Sequence, residues 1–244
     1  SITWALYKDK YAGTITDIGG FSLNYHKHIH SGEGGILVTN DDNYAERMRL
    51  IRNHAEAVVG DMGRDDLNNM VGHNYRLGEI ECAIGIEQLK KLKGFVKRRQ
   101  QIAQKLTNSL KTFSNLIVPF VPKDQTHVYY SYPLIYETNK TEINRDKVYK
   151  ALVAEGVPGL SQNYQNIHLL PIYQKKIAYG KKGFPWTIAN REVSYEKGIC
   201  PVAENLNEHS HLNIAMCMSD FDDGDVDLII EAFKKVWDNI ELLQ

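Results

Sequence analysis

The sequence predicts an α/β protein in two parts, and three observations support this fold class. Two short apolar runs, at residues 18–23 and 36–39, have the length and composition of buried β-strands. The stretch 77–110 has apolar residues at the spacing of amphipathic helices, and the chain after it alternates short strand-like and helix-like segments. We therefore expect the end of a large α/β domain with long helices at 1–112, followed by a small α+β domain at 113–244.

Length and composition are those of a globular protein. With 244 residues and 43% hydrophobic content, the chain is long enough to bury a sizeable core. The formal net charge of −1 gives no overall field that would attract nucleic acid or an anionic membrane. No apolar run approaches the ~20 residues of a membrane-spanning helix. Cys82, Cys200 and Cys217 are odd in number and lack the spacing of metal ligands, which favours a reducing cytoplasm.

The residues after the second strand predict a helix and then a loop. Asp41 and Asp42 can cap a helix, because an aspartate side chain accepts hydrogen bonds from the free N–H groups of the first turn. The helix is expected at about 43–52, and the polar, glycine-dotted stretch 55–70 is typical of a loop.

Two amphipathic helices are predicted in 77–110, one on each side of Gly94. The first is expected to bury one face, which is formed by Ile80, Ala83, Ile84, Leu89 and Leu92. The second carries a basic face formed by Lys97, Arg98, Arg99 and Lys105. We interpret this basic face as solvated surface rather than as a nucleic-acid site.

The second part of the chain is predicted from cap residues and from runs of β-branched and aromatic residues. Asn144 can cap a helix that Gly156 ends, and Asp222 with Asp223 leads a final helix to about residue 243. The remaining segments are strands at 117–121, 128–136 and 214–218, an extended segment at 157–163 and a helix that opens at Thr187.

Lys27 is the residue with the clearest chemical potential. An apolar stretch ends at Ser22, Lys27 follows five residues later, and the turn Gly32-Glu33-Gly34-Gly35 comes next. A lysine becomes a reactive amine when burial or a nearby positive charge disfavours its charged form. The imidazoles of His26 and His28 flank Lys27, and this suits a lysine that forms a Schiff base with an aldehyde. An ordinary solvated surface lysine is the alternative.

Three alternating histidines raise the alternative of a metal site. His26, His28 and His30 would share one face if the chain were extended. No aspartate or cysteine joins them at the spacing of metal ligands. We therefore expect no metal at this position.

The run 21–35 resembles the lysine segment of the DegT/DnrJ/StrS-type sugar aminotransferases, which use pyridoxal phosphate (PLP). Their pattern is roughly F-S-x-x-x-x-K-x-x-x-x-G-E-G-G, and this chain meets every fixed position. Dehydratases of the same family carry histidine in place of the lysine. Counting back from Glu33 places Lys27 in the catalytic position, which favours a transaminase over a dehydratase.

Further segments resemble the family in the same order along the chain. They are 39–54, Gly72 to Ile80 with its Asn74-Tyr75-Arg76 core, 156–158 and 163–173. The resemblance implies an aspartate-aminotransferase-like fold (PLP fold type I). The family's N-terminal portion, which carries an aspartate for the cofactor's ring nitrogen, would precede Ser1. We therefore expect a C-terminal fragment of a longer enzyme that is inactive alone.

The resemblance implies a role for each matching residue. Lys27 would hold PLP and, once released, would move a proton as general base and acid. Ser22 would donate to the cofactor phosphate, and Asn74 would reach the phosphate from the partner subunit of a homodimer. Taken alone, Ser22 fits a strand serine and Asn74 a turn residue.

Six residues are candidates for substrate contacts: four near Lys27 because their side chains can hydrogen-bond sugar hydroxyls, and Tyr164 and His168 because they lie in the segment that resembles the family's substrate segment. These residues are Tyr25, His26, His28, His30, Tyr164 and His168. For Tyr164 and His168, packing within the small domain is the alternative.

The sequence therefore predicts a cytoplasmic, PLP-dependent aminotransferase that transfers an amino group, with glutamate as the expected donor, to a keto or aldehyde sugar. The sugar would be nucleotide-linked or of octulosonate type, and it would feed surface polysaccharide or lipopolysaccharide. The alternatives are a non-catalytic regulatory or scaffold paralogue, a PLP sugar dehydratase, and a metal-binding module. Retention of Ser22, Lys27 and Asn74 argues against the paralogue.

Overall fold

The computed structural model describes residues 4–55, 70–162 and 164–244. Contacts between Cα atoms divide the chain into two compact units. The first unit comprises Ser1–Ala103 and Phe120–Tyr130, and the second comprises Gln104–Pro119 and Ser131–Gln244.

The first unit contains two small antiparallel sheets. Strands β1 (Leu6–Tyr7) and β2 (Lys10–Tyr11) form one of them. Strands β3 (Gly19–Ser22) and β4 (Gly35–Val38) form the other, with Ser22 opposite Gly35. Both strands predicted in this region are confirmed, but the prediction that they are buried is wrong, since Ile36 and Leu37 of β4 are 47% and 61% exposed. Lys27 lies in the connection between them.

Helix α1 (Asp42–Arg52) begins where the sequence predicts. The Tyr44 N–H donates to the carboxylate of Asp41 at 3.0 Å, so Asp41 is the N-cap. The predicted loop at 55–70 lies almost wholly outside the described residues, which resume at Met70.

Helix α2 (Glu79–Leu110) is continuous, so the predicted separation near Gly94 is wrong. A glycine inside a helix costs about 1 kcal/mol relative to alanine. A helix of 32 residues tolerates that cost. Within the described ranges, none of the helices, α2 included, combines the length and the apolar character needed to cross a bilayer.

The face of α2 that was predicted to be buried is largely exposed. Leu92 is fully buried, but Ile80 and Leu89 are 76% and 55% exposed, and Ala83 and Ile84 are exposed as well. The prediction is wrong at these four positions because no described residue of this chain covers them. Periodicity identifies an apolar face but does not identify its partner.

A small apolar core in the first unit holds the connection between β3 and β4 in place. Leu23 and Ile29, which lie on either side of Lys27 in the sequence, are both buried in it. The other buried members are Ala5, Leu92, Val96 and Val128. Burial of apolar side chains before and after Lys27 fixes the path of the backbone that carries it.

The second unit is built on a four-stranded antiparallel sheet with the order β5-β6-β8-β7. Its strands are β5 (Leu116–Ile117), β6 (Tyr132–Tyr136), β7 (Leu160–Ser161) and β8 (His211–Ile214). Its helices are α3 (Arg145–Ala154), α4 (Pro171–Lys175), α5 (Pro201–Asn205) and α6 (Asp223–Asp238). Alternate residues of β6 and β8 are buried, as expected for strands with one face on a core.

The predicted caps in the second unit are confirmed, while two predicted elements are wrong. Asn144 caps α3, and Asp222 caps α6. The last strand is His211–Ile214, so it ends where the predicted strand began. The helix predicted to open at Thr187 is only a 3₁₀ turn, Trp186–Ile188.

Candidate active site

The connection between β3 and β4, residues 23–34, forms a closed loop that carries Lys27. The Leu23 N–H donates to the carbonyl of Gly34 at 2.9 Å, and the Ser31 N–H donates to the carbonyl of Leu23 at 3.1 Å. Within the loop, the Lys27 N–H donates to the carbonyl of Asn24 at 2.9 Å. Lys27 is therefore the last residue of a tight turn, residues 24–27, which begins two residues after the end of β3.

Asn24 links the polar residues at the base of this loop. Its side-chain amide nitrogen donates to Oε1 of Glu33 at 2.8 Å, and its Oδ1 accepts from the His26 N–H at 3.1 Å. Its own N–H donates to Oγ of Ser22 at 3.1 Å. These bonds connect the serine and the glutamate of the sequence pattern. The pattern itself did not indicate this connection, because Asn24 is not one of its fixed positions.

Gly34 is required by the shape of the loop. Its φ is +150°, which side chains of L-residues rarely adopt. A Cβ at this position would also lie 3.0 Å from Cδ1 of Leu77 and 3.3 Å from Oγ of Ser31. The Gly-Glu-Gly-Gly pattern thus has a steric reason at its second glycine.

The amine of Lys27 lies against an aromatic ring. Lys27 is half-buried, and its Nζ is 4.3 Å from the ring centroid of Tyr130. This geometry is that of a cation–π contact.

His28 is buried behind the lysine, with 5% of its surface exposed. Its Nε2 lies 2.7 Å from the carbonyl of Val128. Burial lowers the pKa of His28, and the Val128 carbonyl opposes this effect only in part. The ring is therefore neutral near pH 7, with its proton on Nε2 toward the carbonyl. His28 does not supply the positive charge beside Lys27 that the sequence suggested.

The three alternating histidines do not line one face, because the chain turns between them. The ring of His26 lies 3.8 Å from the ring of Tyr25, measured between centroids. His28 is buried, while His30 is exposed and its Nδ1 accepts from the Gly32 N–H at 3.4 Å. Across the described ranges, no group of three His, Cys, Asp or Glu side chains is arranged to hold a metal ion.

Asn74 is exposed on a segment that is fixed to the end of α1. The His73 N–H donates to the carbonyl of Ile51 at 2.7 Å, and the Tyr75 N–H donates to the carbonyl of Arg52 at 2.9 Å. Asn74 itself bridges Asn53. An exposed amide on a fixed backbone suits a contact with another subunit, and the phosphate role of Asn74 stays a prediction.

In the second unit, the two predicted substrate residues have different surroundings. Tyr164 is 82% exposed, and its N–H donates to Oδ1 of Asn207 at 2.8 Å. His168 Nε2 lies 2.9 Å from Oε1 of Glu204, a buried carboxylate. Tyr164 is free to meet a ligand, whereas the ring of His168 already has a partner within the unit. Their substrate roles stay predictions.

Glu204 was not identified from the sequence, because its partners come from separate segments. Its carboxylate accepts from the N–H groups of Gly198 and Cys200 at 2.8 and 3.2 Å, and it faces His168. Burial raises the pKa of this carboxyl, but the hydrogen bonds from His168, Gly198 and Cys200 outweigh burial, so the pKa is lowered. The charged carboxylate of Glu204 thus joins α5 to the turn that contains His168.

Comparison with known proteins identifies the family. The sequence model of the DegT/DnrJ/EryC1/StrS aminotransferase family matches residues 3–233. An uncharacterised protein of Methanocaldococcus jannaschii is 32% identical over 86% of this chain and 55% of its own length. The GDP-perosamine synthase of Escherichia coli is 29% identical over 83% of this chain and 54% of its own.

A solved structure shows the fold. The DegT DnrJ EryC1 StrS aminotransferase of Brucella abortus is 25% identical, with a TM-score of 0.74 over 96% of this chain and 54% of that one. This likeness confirms PLP fold type I. The chain spans about half the length of the curated relatives it matches. The matching family is one of aminotransferases, which is the enzyme class that the sequence predicted, and the match supports the predicted cofactor, pyridoxal phosphate. This chain belongs to the DegT/DnrJ/EryC1/StrS aminotransferase family.

Proposed function

We propose that the protein aminates the keto or aldehyde carbon of a nucleotide-linked sugar, with Lys27 as its cofactor lysine. The observation that carries the proposal is the loop at 23–34, which presents one half-buried primary amine, that of Lys27, five residues after the serine that ends β3. The matched pattern contains a lysine where the family's dehydratases have histidine.

The residues of this site fit an aldehyde that carries a phosphate group. Lys27 supplies the amine that reacts with an aldehyde carbonyl, and Ser22 supplies a hydroxyl at the strand end. The hydrogen bonds of Asn24 to Ser22 and to Glu33 close the loop that contains Lys27 and fix its shape. We infer that Ser22 donates to the phosphate and that Asn74 of a second copy contacts it from across a dimer interface.

When bound, PLP supplies the electron sink for the reaction. Lys27 would hold the cofactor through its Nζ and, with that amine free, would act as the general base and acid that moves the proton of the substrate. The Nζ of Lys27 lies 4.3 Å from the ring centroid of Tyr130, and Ile29, two residues further along the loop, is buried. The proton transfer of the proposed reaction therefore depends on the Lys27 side chain.

The proposed class of substrate is supported by the name of a relative. The Escherichia coli relative is named for GDP-perosamine, an amino sugar linked to a nucleotide. Glutamate as donor, an octulosonate-type sugar as alternative acceptor, and a role in surface polysaccharide stay predictions, as does a cytoplasmic location. The homodimer is supported by the exposed apolar face of α2, which a second copy would cover.

The direct test is an assay of the protein at the full length that its gene encodes. It measures turnover of glutamate with a panel of nucleotide-linked keto sugars. We expect 2-oxoglutarate to form with at least one sugar, and Lys27→Arg to lower kcat by about 10³-fold or more, since the base is lost. Lys10→Arg is the matched control, because Lys10 is an exposed lysine of the same unit. Water loss from the sugar without 2-oxoglutarate would favour the dehydratase. Full turnover by Lys27→Arg would exclude the proposed role of Lys27.

A further inference from the structure

Two adjacent residues of the lysine loop contact the same short segment, 128–130. His28 places Nε2 2.7 Å from the Val128 carbonyl, and Lys27 places Nζ 4.3 Å from the ring centroid of Tyr130. The two contacts join parts of the chain that are 100 residues or more apart. The segment therefore serves the lysine loop directly, although nothing in the sequence pattern around Lys27 includes it.

The backbone of this segment has an unusual conformation that is held in place. Tyr129 has a φ of +51°, in the left-handed region that bulky residues seldom adopt. Its N–H donates to Nδ1 of His127 at 2.9 Å, and Gln100 Nε2 donates to the His127 carbonyl at 3.0 Å. Because the backbone turns at Tyr129, Val128 is buried, whereas Tyr130 on the other side of the turn is at the surface beside Lys27.

The exposure of Tyr130 separates this contact from ordinary core packing. The side chain is 40% exposed, so it contributes little to the apolar core, yet one face of its ring lies on the lysine amine. An aromatic face attracts a cation through the ring electrons, and this attraction does not need the hydroxyl group.

We propose that Tyr130 is a positioning residue for Lys27: its ring holds the amine in one place at the end of the β3–β4 hairpin. The role of the ring in the reaction rests on the proposed function, whereas the contact itself does not. The ring keeps the long lysine side chain from exploring other rotamers, so Nζ is presented where the carbonyl of the cofactor would meet it. The ring, and not the hydroxyl, is the part that matters.

The test compares Tyr130→Leu, which removes the ring, with Tyr130→Phe, which keeps it. Tyr44→Leu is the matched control, because Tyr44 has a similar exposure of 44% on α1 of the same unit. Each protein, at its encoded length, is treated with hydroxylamine and desalted so that lysine amines are free. A limiting amount of an N-hydroxysuccinimide ester is then added, and mass spectrometry compares acylation of Lys27 with that of Lys10.

We expect Tyr130→Leu to raise the relative acylation of Lys27 about two- to fivefold, the factor that corresponds to an exposed cation–π contact. Tyr130→Phe and Tyr44→Leu should match the unsubstituted protein. A wild-type value for Tyr130→Leu, or an equal rise in Tyr130→Phe, would overturn the proposal.

A second readout links the contact to the cofactor. Titration with PLP, followed by visible absorbance, should show weaker binding by about two- to fivefold in Tyr130→Leu and no change in Tyr130→Phe. If Lys27 of the unsubstituted protein takes up no PLP at all, the proposed function fails, and the acylation result still decides whether the ring holds the amine. Unchanged PLP binding in Tyr130→Leu would overturn the positioning role.

Discussion

Replacing Asn24 by aspartate should disturb the cofactor site without disturbing the fold. The substitution keeps the size of the side chain but removes the nitrogen that donates to Glu33 at 2.8 Å. It also places two carboxylates at that distance. Asp at this position still accepts from the His26 N–H, so only one arm of the Asn24 network changes.

The size of the effect follows from two contributions. Loss of a hydrogen bond at a partly exposed position costs about 1 kcal/mol. Two like charges in contact near the surface add about 1 kcal/mol of repulsion at high dielectric. A total of about 2 kcal/mol corresponds to roughly 30-fold in the population of the correctly shaped loop. We expect PLP affinity to fall by about that factor.

The assay is PLP titration by absorbance, with thermal unfolding as the parallel measurement. The unfolding midpoint should fall by at most about 4–8 °C, the shift that about 2 kcal/mol produces in a chain of this length, and the fold should persist because Asn24 and Glu33 lie outside the apolar core. The double variant Asn24→Asp/Glu33→Gln restores one donor opposite one carboxylate and should bind PLP within about threefold of the unsubstituted protein. Unchanged affinity in Asn24→Asp, or no recovery in the double variant, would show that the hydrogen bond between Asn24 and Glu33 does not shape the cofactor site.

Two further predictions concern stability. Burial lowers the pKa of three histidines, His28, His127 and His211, below the ordinary value of 6.5. Near that pH the unfolded chain therefore binds protons at these histidines that the folded chain does not bind. The free energy of unfolding, measured in urea, should therefore fall as the pH is lowered from 7.5 through 6.5, and a rise would contradict this. In the second unit, the buried guanidinium of Arg145 donates to the carbonyls of Gln162, Glu208 and His211 at 2.7–2.9 Å. Arg145→Met should destabilise the protein by about 3 kcal/mol, whereas the exposed Arg191→Met should not, and equal urea midpoints would refute the difference.

Local sequence rules predicted the elements that depend on local chemistry. The caps Asp41, Asn144 and Asp222 were identified because a short polar side chain before a helix has one favoured use. The two strands around Lys27 were found from apolar content alone. The register of the lysine came from the resemblance, through its fixed distance from Glu33.

Contacts between distant segments could not be predicted in this way. The ring of Tyr130 beside Lys27 and the carboxylate of Glu204 beside His168 join residues with no shared local pattern. The stretch expected as one strand at 128–136 contains the left-handed Tyr129, which propensity cannot foresee. The face of α2 at Ile80 and Leu89 was recognised as apolar, but periodicity could not show that the described residues leave it exposed.

The most direct test of the account is to identify the residue that binds PLP. The protein as encoded is incubated with PLP, reduced with borohydride, digested and mapped by mass spectrometry. The account predicts one pyridoxyl group on the peptide that contains Lys27, and its disappearance in Lys27→Arg but not in Lys10→Arg. A pyridoxyl group on a different lysine, with Lys27 unmodified, would contradict the central claim.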